Sequence, residues 1–281
     1  MLVDHPIMSS SAPRPDPTDR RTATYVGPDW MAIVDSSAAY RRSAAIAPCL
    51  LLGEPGHVLQ VVVEPGQPPL ESDTIAHGAD LVSEGLPLPC GNLYLHFDPM
   101  SPPARALASL AGAPREARAW TLPAYVRWTA DWFDALVEGR AVDAEVLAWI
   151  ESLRAALVAA SPTCEAMDSR RVALVAQALA EDPSGRLACD ALAARVHCSP
   201  ANLRRVFREV CGMSMSRYQA WCRLHRAMRL ACEVDAPAGR GALTAVLHEA
   251  GFYDAPHGFK TIRQYFGVEP SCVMQPVRQV A

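Results

Sequence analysis

The chain has 281 residues, half of them hydrophobic and 20% charged, which is enough apolar material for a sizeable core and enough length for about two domains. That balance excludes collagen-like and wholly disordered classes, and no run approaches the ~18 to 20 apolar residues of a membrane helix. The formal net charge of −4 conceals a split: from Arg170 onward 15 positive side chains stand against 9 acids, whereas the first 169 residues hold 11 against 21. An acidic half is therefore joined to one suited to a polyanion.

Residues 1–28, rich in Pro, Ser and Thr, predict a flexible lead-in without the basic and apolar regions of a secretory signal, so a cytoplasmic protein is expected. Residues 29–122 carry short apolar runs, "IAPCLLLGEPG", "HVLQVVVEPGQPP", "DTIAHGADLVSEG" and "GNLYLHFDP", punctuated by "EPG" and "PCGN" turns. Such runs predict strands and hairpins in a small β-sandwich or barrel. In 123–160 the period changes. Tyr125, Thr129, Trp132, Phe133 and Leu136 follow helical spacing, and Val146, Ile150, Leu153 and Leu157 step by 4, 3 and 4 behind Asp143 as a candidate N-cap. This second stripe suits packing on its own β domain and a dimer seam equally well. "SPTCEAMDS", 161–169, is a linker in which Asp168 can cap the next helix, lined by Val172, Val175 and Leu179. The remainder, 165–281, is helical in period, making the class α+β.

The charged half has internal order. In "LACDALAARVHCSPANLRRVFREVCG", about 188–210, Leu192 and Val196 share one helix face, a short turn follows, and Ser199 and Pro200 open a second helix as N-cap and first residue. That is a helix-turn-helix layout. At ~100° per residue, Leu203, Val206, Phe207 and Val210 gather on one side and Ala201, Arg204, Arg205 and Arg208 on the other, with Glu209 off to the side. A face of arginines beside a small residue fits a DNA major groove, where guanidinium forks reach guanine edges or phosphates. A solvated or internally paired arginine face is the competing reading. "ALTAVLHEAGFYDAPHGFKTIRQYFGVEPS" repeats the layout at about 240–265, with Leu243, Val246 and Ala250 on the first helix and His257, Lys260 and Arg263 on the second. "SMSRYQAWCRLHRAMRLACEV" joins the units as one long helix with Tyr218, Trp221, Leu224 and Met228 inward.

Two such units, ending in "GFYDAPHGFKTIRQYFGVEPS", resemble the DNA-binding domain of AraC/XylS-family transcriptional regulators over about Arg170 to Met274. The resemblance implies that both recognition helices enter adjacent major-groove segments. It would offer Ala201, Arg204 and Arg205 to base edges and Arg208 to phosphate, with Asn202 also at the DNA, then Ala255, Pro256, Phe259 and Lys260, with His257 and Arg263 supporting the second helix or touching the backbone. Three features depart from the family pattern. Gly258 stands where a core Phe is usual, with Phe259 displaced by one; "DAPAGRG" lengthens the preceding connection; and Ala255 and Pro256 carry no side-chain donor, so the second helix is expected mainly to hold phosphates. The resemblance also implies a cupin-like N-terminal effector domain, to which "GNLYLHFDPMSPPARAL" is similar, and partners that include promoter DNA, a small-molecule effector, RNA polymerase and a second copy of the chain.

Enzymatic readings find little support. His57, His77 and His96 are about 20 residues apart with no HxH, unlike a catalytic cupin, and neither GxSxG nor a phosphate loop occurs. The nine cysteines contain no CxxC pair, so neither a disulfide framework nor a zinc site is indicated, and most are expected to be small buried hydrophobes. No metal and no cofactor are expected. The sequence therefore points to a ligand-responsive DNA-binding regulator, expected to be an activator, with effector residues unassigned and an aromatic and apolar pocket expected. The alternative is an effector- or partner-binding anti-regulator with degraded DNA binding.

Overall fold

A computed structural model describes residues 21–36, 43–63, 67–79, 81–85, 91–112, 116–161, 169–182, 185, 187–234, 239–267, 269–274 and 277–280. The first half holds β1 (Thr22–Val26), β2 (Trp30–Asp35), β3 (Ser43–Ala44), β4 (Cys49–Gly53), β5 (Leu59–Val62), β6 (Leu70–Ser72), β7 (Thr74–His77), β8 (Val82–Gly85) and β9 (Asn92–Phe97). Next come α1 (Pro102–Ala111), β10 (Ala117–Ala119), α2 (Ala130–Val137) and α3 (Asp143–Ala160). The second half comprises α4 (Ser169–Glu181), α5 (Cys189–Arg195), α6 (Pro200–Cys211), α7 (Met215–Ala231), α8 (Arg240–Glu249), α9 (Ala255–Phe266), α10 (Pro270–Val273) and a closing strand, β11 (Val277–Gln279).

The strands form a seven-stranded sheet in the order β10-β7-β4-β9-β2-β1-β11 and a four-stranded sheet in the order β3-β8-β5-β6. Because side chains alternate along a strand, the large sheet has two different faces. Trp30, Ala32 and Val34 of β2 and Leu93, Leu95 and Phe97 of β9 pack with α1, α2 and α3. On the opposite face Cys49, Leu51 and Ile75 meet Leu59 and Val61 of the small sheet. Met31 and Ile33, on that same face, join the core of the helical half with Leu224, Met228 and Phe266. One sheet face is thus divided between a sandwich and the second domain.

Several boundaries differ from the sequence reading. Strand β1 lies inside the segment predicted as flexible, because "TATYV" buries Tyr25 and Val26; residues 1–20 lie outside the described ones. Helix α2 starts only at Ala130, capped by Thr129, whose side chain accepts from the Trp132 amide, and Tyr125 stays exposed before it. Helix α3 has Val142 rather than Asp143 as N-cap, and Asp143 sits in its first turn. Asp168 lies outside the described residues. The stripe Val146, Ile150, Leu153 and Leu157 is buried in its own domain with α1 and the sheet, so it is not available as a dimer seam. Trp149 on the same helix stacks on Trp128, with ring centroids 5.7 Å apart, and the Trp128 indole N–H donates to the Gly53 carbonyl at 2.8 Å.

Distant histidines meet here. His77 and His96 each pair in register with Cys49, so all three occupy one row across β7, β4 and β9. His57 remains exposed in a turn. No group of three His, Cys, Asp or Glu able to hold a metal occurs among the described residues. Burial lowers the His77 and His96 pKa values to about 4 and about 3, since a charged imidazole loses its hydration there. His96 sits between the domains, its ring centroid 5.9 Å from that of Trp221 and 6.1 Å from that of Phe266. Both histidines therefore bind fewer protons folded than unfolded, where the ordinary value is 6.5. Their contribution to stability is intact above pH 6.5 and falls as pH drops from there toward about 4, by roughly 1 kcal/mol per pH unit for each histidine. Urea midpoints measured from pH 7.5 to 5 are expected to decline along this course, with a shallower decline in His96→Gln.

Candidate nucleic-acid interface

The first unit is built by local signals. Helix α5 ends at Arg195, and the chain turns through His197, whose φ of 53° places a non-glycine residue in the left-handed region. Ser199 then caps α6, its hydroxyl accepting from the Asn202 amide at 3.3 Å, and Pro200 occupies the first turn, where a missing N–H costs nothing. At the far end Gly212, with φ 73°, donates its amide to the Arg208 carbonyl. Leu203, Val206, Phe207 and Cys211 are buried, Val210 is half-buried, and Ala201, Arg204, Arg205 and Arg208 are exposed.

The arginines are not equivalent. Arg205 donates to both Glu209 carboxylate oxygens, at 2.6 and 2.7 Å, and to Asn202 Oδ1 at 2.9 Å. The acid that the helical wheel sets to one side thus reaches one turn back and occupies the Arg205 fork. Both groups are more than half exposed, so the pair contributes at most about 1 kcal/mol and can yield to a phosphate or a base. Arg204 and Arg208 have no side-chain partner among the described residues and present their charge to solvent.

The second unit has the same frame. Asp254 caps α9, its carboxylate accepting from the His257 amide at 2.7 Å, and Gly267, with φ 67°, ends the helix. Pro256, His257, Lys260 and Arg263 are exposed, together with Gln264. Ala255 and Phe259, expected at the DNA surface, are instead buried, with 7% and 6% exposure. Phe259 belongs to the core and carries the Arg240 guanidinium 5.8 Å from its ring centroid, so the aromatic is not displaced from the interior. Gly258 lets α8 approach closely: a Cβ there would lie 2.8 Å from Leu247 Cδ1. Arg263 is bound to Glu269 at 3.0 Å. Two surface residues escape the sequence reading. Tyr253 is 93% exposed in the turn leading to α9, and Gln264 follows Arg263; the helical spacing could have found Gln264.

Where the two domains meet, a cleft of about 400 Å³ opens beside α7, lined by Asp98, Trp221, His225, Arg226, Arg229 and Glu233 among others. It is polar and lies between domains, unlike the apolar pocket expected inside the β domain. Burial pushes the Asp98 carboxyl up and the His225 imidazole down, and the His225 Nε2–H donates to the Gly27 carbonyl at 2.9 Å.

Residues 192–275 match the family model of a helix-turn-helix domain. The crystal structure of ToxT from Vibrio cholerae O395 superposes with a TM-score of 0.51 at 10% identity, over 90% of this chain and 95% of that one. The same protein bound to (E)-4-(8-methylnaphthalen-1-yl)but-3-enoic acid gives 0.52 at 9% identity, over 86% and 97%. At these identities the likeness concerns the fold, a sheet-rich part followed by a helical one. No curated protein matches the sequence.

The tight crossing at Gly258 yields a direct test. Gly258→Val is expected to force Leu247, fully buried, out of its site and to lower stability by about 2 to 3 kcal/mol. Chemical denaturation measures this, and a loss below 0.5 kcal/mol would show that α8 and α9 do not touch there.

Proposed function

We propose that this chain belongs to the AraC/XylS family of transcriptional regulators, binds promoter DNA in a sequence-specific manner and activates transcription in response to a small molecule, in the cytoplasm and without catalysing a reaction; the helix-turn-helix match over 192–275 supports this reading. The observation that carries the DNA reading is the solvent face of α6, where Arg204 and Arg208 stand free on a helix capped at both ends and backed by Leu203, Val206 and Phe207. A helix fixed in this way holds the bases of its arginine side chains at constant spacing, from which the guanidinium groups can reach base edges. Helix α9 presents Lys260 and His257 and serves mainly to hold phosphates.

The effector reading rests on the cleft between the domains. Arg226 and Arg229 supply cationic donors, Trp221 an apolar wall, and Asp98 and Glu233 acceptors. A molecule lodged there would touch both domains, so its binding could favour one arrangement over another. The solved ToxT structure of this fold that holds a naphthyl butenoic acid gives the small-molecule reading a precedent in another protein. Activation would proceed through contact with RNA polymerase.

Arg204→Ala is expected to weaken binding to a selected site by about 1 to 3 kcal/mol and to relax its base preference. Arg208→Ala should weaken all sequences alike and reduce the salt slope by about 1. Arg205→Ala should cost less than Arg204→Ala, because Glu209 must first release that fork. Fluorescence anisotropy across a salt series separates the three, and wild-type affinity in all of them would remove α6 as the recognition helix.

A further inference from the structure

The helical half does not end at its last helix. After α10 the chain crosses back, and β11 lies parallel to β1, pairing Val277 with Thr24, Arg278 with Tyr25 and Gln279 with Val26. The tail therefore becomes the edge strand of the other domain's sheet. Val280 continues this attachment, its amide donating to the Val26 carbonyl at 2.9 Å and its side chain fully buried with α1, α2 and α3. Just before the tail, the Thr24 hydroxyl donates to the Val273 carbonyl at 2.7 Å.

Arg278 makes the join specific. Its Nη1 donates to the carbonyls of Gly139 at 2.6 Å and Ala141 at 2.9 Å, in the turn between α2 and α3, and its Nη2 donates to Asp143 Oδ1 at 2.8 Å. Its guanidinium also lies 5.6 Å from the Tyr25 ring centroid, and the Tyr25 hydroxyl donates to the Leu136 carbonyl at 2.7 Å. One side chain thus gathers β1, α2, the following turn and α3 around the tail. A strand ladder, a buried apolar anchor and a shared guanidinium are more than a frayed terminus would show.

The tail sits close in the chain to α9. Helix α9 itself contacts β3, and Arg217 of α7 fastens the segment just after β3 by donating to the carbonyls of Ala45 and, at 2.6 Å, Ile46, while its guanidinium lies 5.4 Å from the Tyr265 ring centroid. A recognition helix about 10 to 12 Å across fills a major groove about 12 Å wide, so both its flanks must be clear for the phosphate ridges. In the docked arrangement β3 of the β domain lies against α9.

We propose that residues 277–280 form a latch that keeps the helical half docked on the β domain and thereby restrains α9 from DNA; the restraint, though not the docking, rests on the DNA-binding reading above. The test uses the full chain, a chain ending at Pro276, and full-length Arg278→Ala. Hydrogen–deuterium exchange reports the docking, and binding to sheared genomic DNA at fixed salt reports the restraint. In the shortened chain, exchange at 22–26 should accelerate at least about ten-fold while β4 and β9 stay protected. DNA affinity should rise about ten-fold as the docked state loses its advantage. Arg278→Ala should show the same changes in smaller measure, and adding the peptide "QPVRQVA" to the shortened chain should reverse both.

Unchanged exchange at 22–26 would overturn the latch. Accelerated exchange with equal or weaker DNA binding would overturn the restraint. If shortening the chain loosens β4 and β9 as well, Arg278→Ala decides by the same two measurements. Failure of every form, wild type included, to bind DNA while exchange responds would overturn the DNA-binding reading and leave the docking of the tail established.

Discussion

Strands β2 and β9 lie side by side in the middle of the large sheet, and the alternation of their side chains assigns every other element its place. Trp30, Ala32, Val34, Leu93, Leu95 and Phe97 point to the helices of the first domain. Met31 and Ile33 point the other way, where they share a core with the helical half. A slip of one residue in this pairing would exchange the two sets and undo both interfaces at once. The register is therefore a constraint on the whole chain, and it explains why the sheet is buried on both faces although only part of it is covered by a second sheet.

The same double use limits what local sequence can reveal. Period made α6, α7 and α9 legible, and Ser199 and Pro200 marked where α6 begins; the structure adds Asp254 and the glycines at 212 and 267 as further helix ends. Short runs with turns likewise announced the strands. The arrangement of a face between two domains left no such mark. Met31 and Ile33 look like ordinary strand residues, and "VRQ" near the C-terminus is too short and too polar to announce a strand, since its partner β1 lies some 250 residues away. The row of His77, Cys49 and His96 was invisible for the same reason, because their adjacency is created by strand order and not by spacing.

At the proposed DNA surface, the legible part was the division of α6 into apolar and arginine faces. What pattern could not supply was competition among neighbours. Glu209 reaches Arg205 because i,i+4 groups adjoin on a helix. On α9 the resemblance placed Ala255 and Phe259 outward, and packing placed them inward. Gly258 allows Leu247 so near that α9 settles with Phe259 in the core, leaving Lys260 and His257 as the outward groups. The two units therefore share a frame and differ in chemistry, one offering two guanidinium groups without a side-chain partner among the described residues and the other a lysine, an imidazole and an arginine already held by Glu269.

Coupling between the domains follows from where their shared polar groups sit. Tyr218, His225 and Arg217 all project from α7, the helix that joins the two units, and each reaches an oxygen of the β domain: Asp98, Gly27, and Ala45 with Ile46. The cleft beside α7 uses Asp98 and His225 again and adds Gln279 of the terminal strand as part of its wall. A ligand changes a conformational equilibrium only by the difference in its affinity for the two states. Walls drawn from both domains make such a difference physically available, since separating the domains would remove Asp98 from one side of the cleft and His225 from the other. The joining helix is thus the element on which docking, the cleft and the spacing of α6 and α9 all bear.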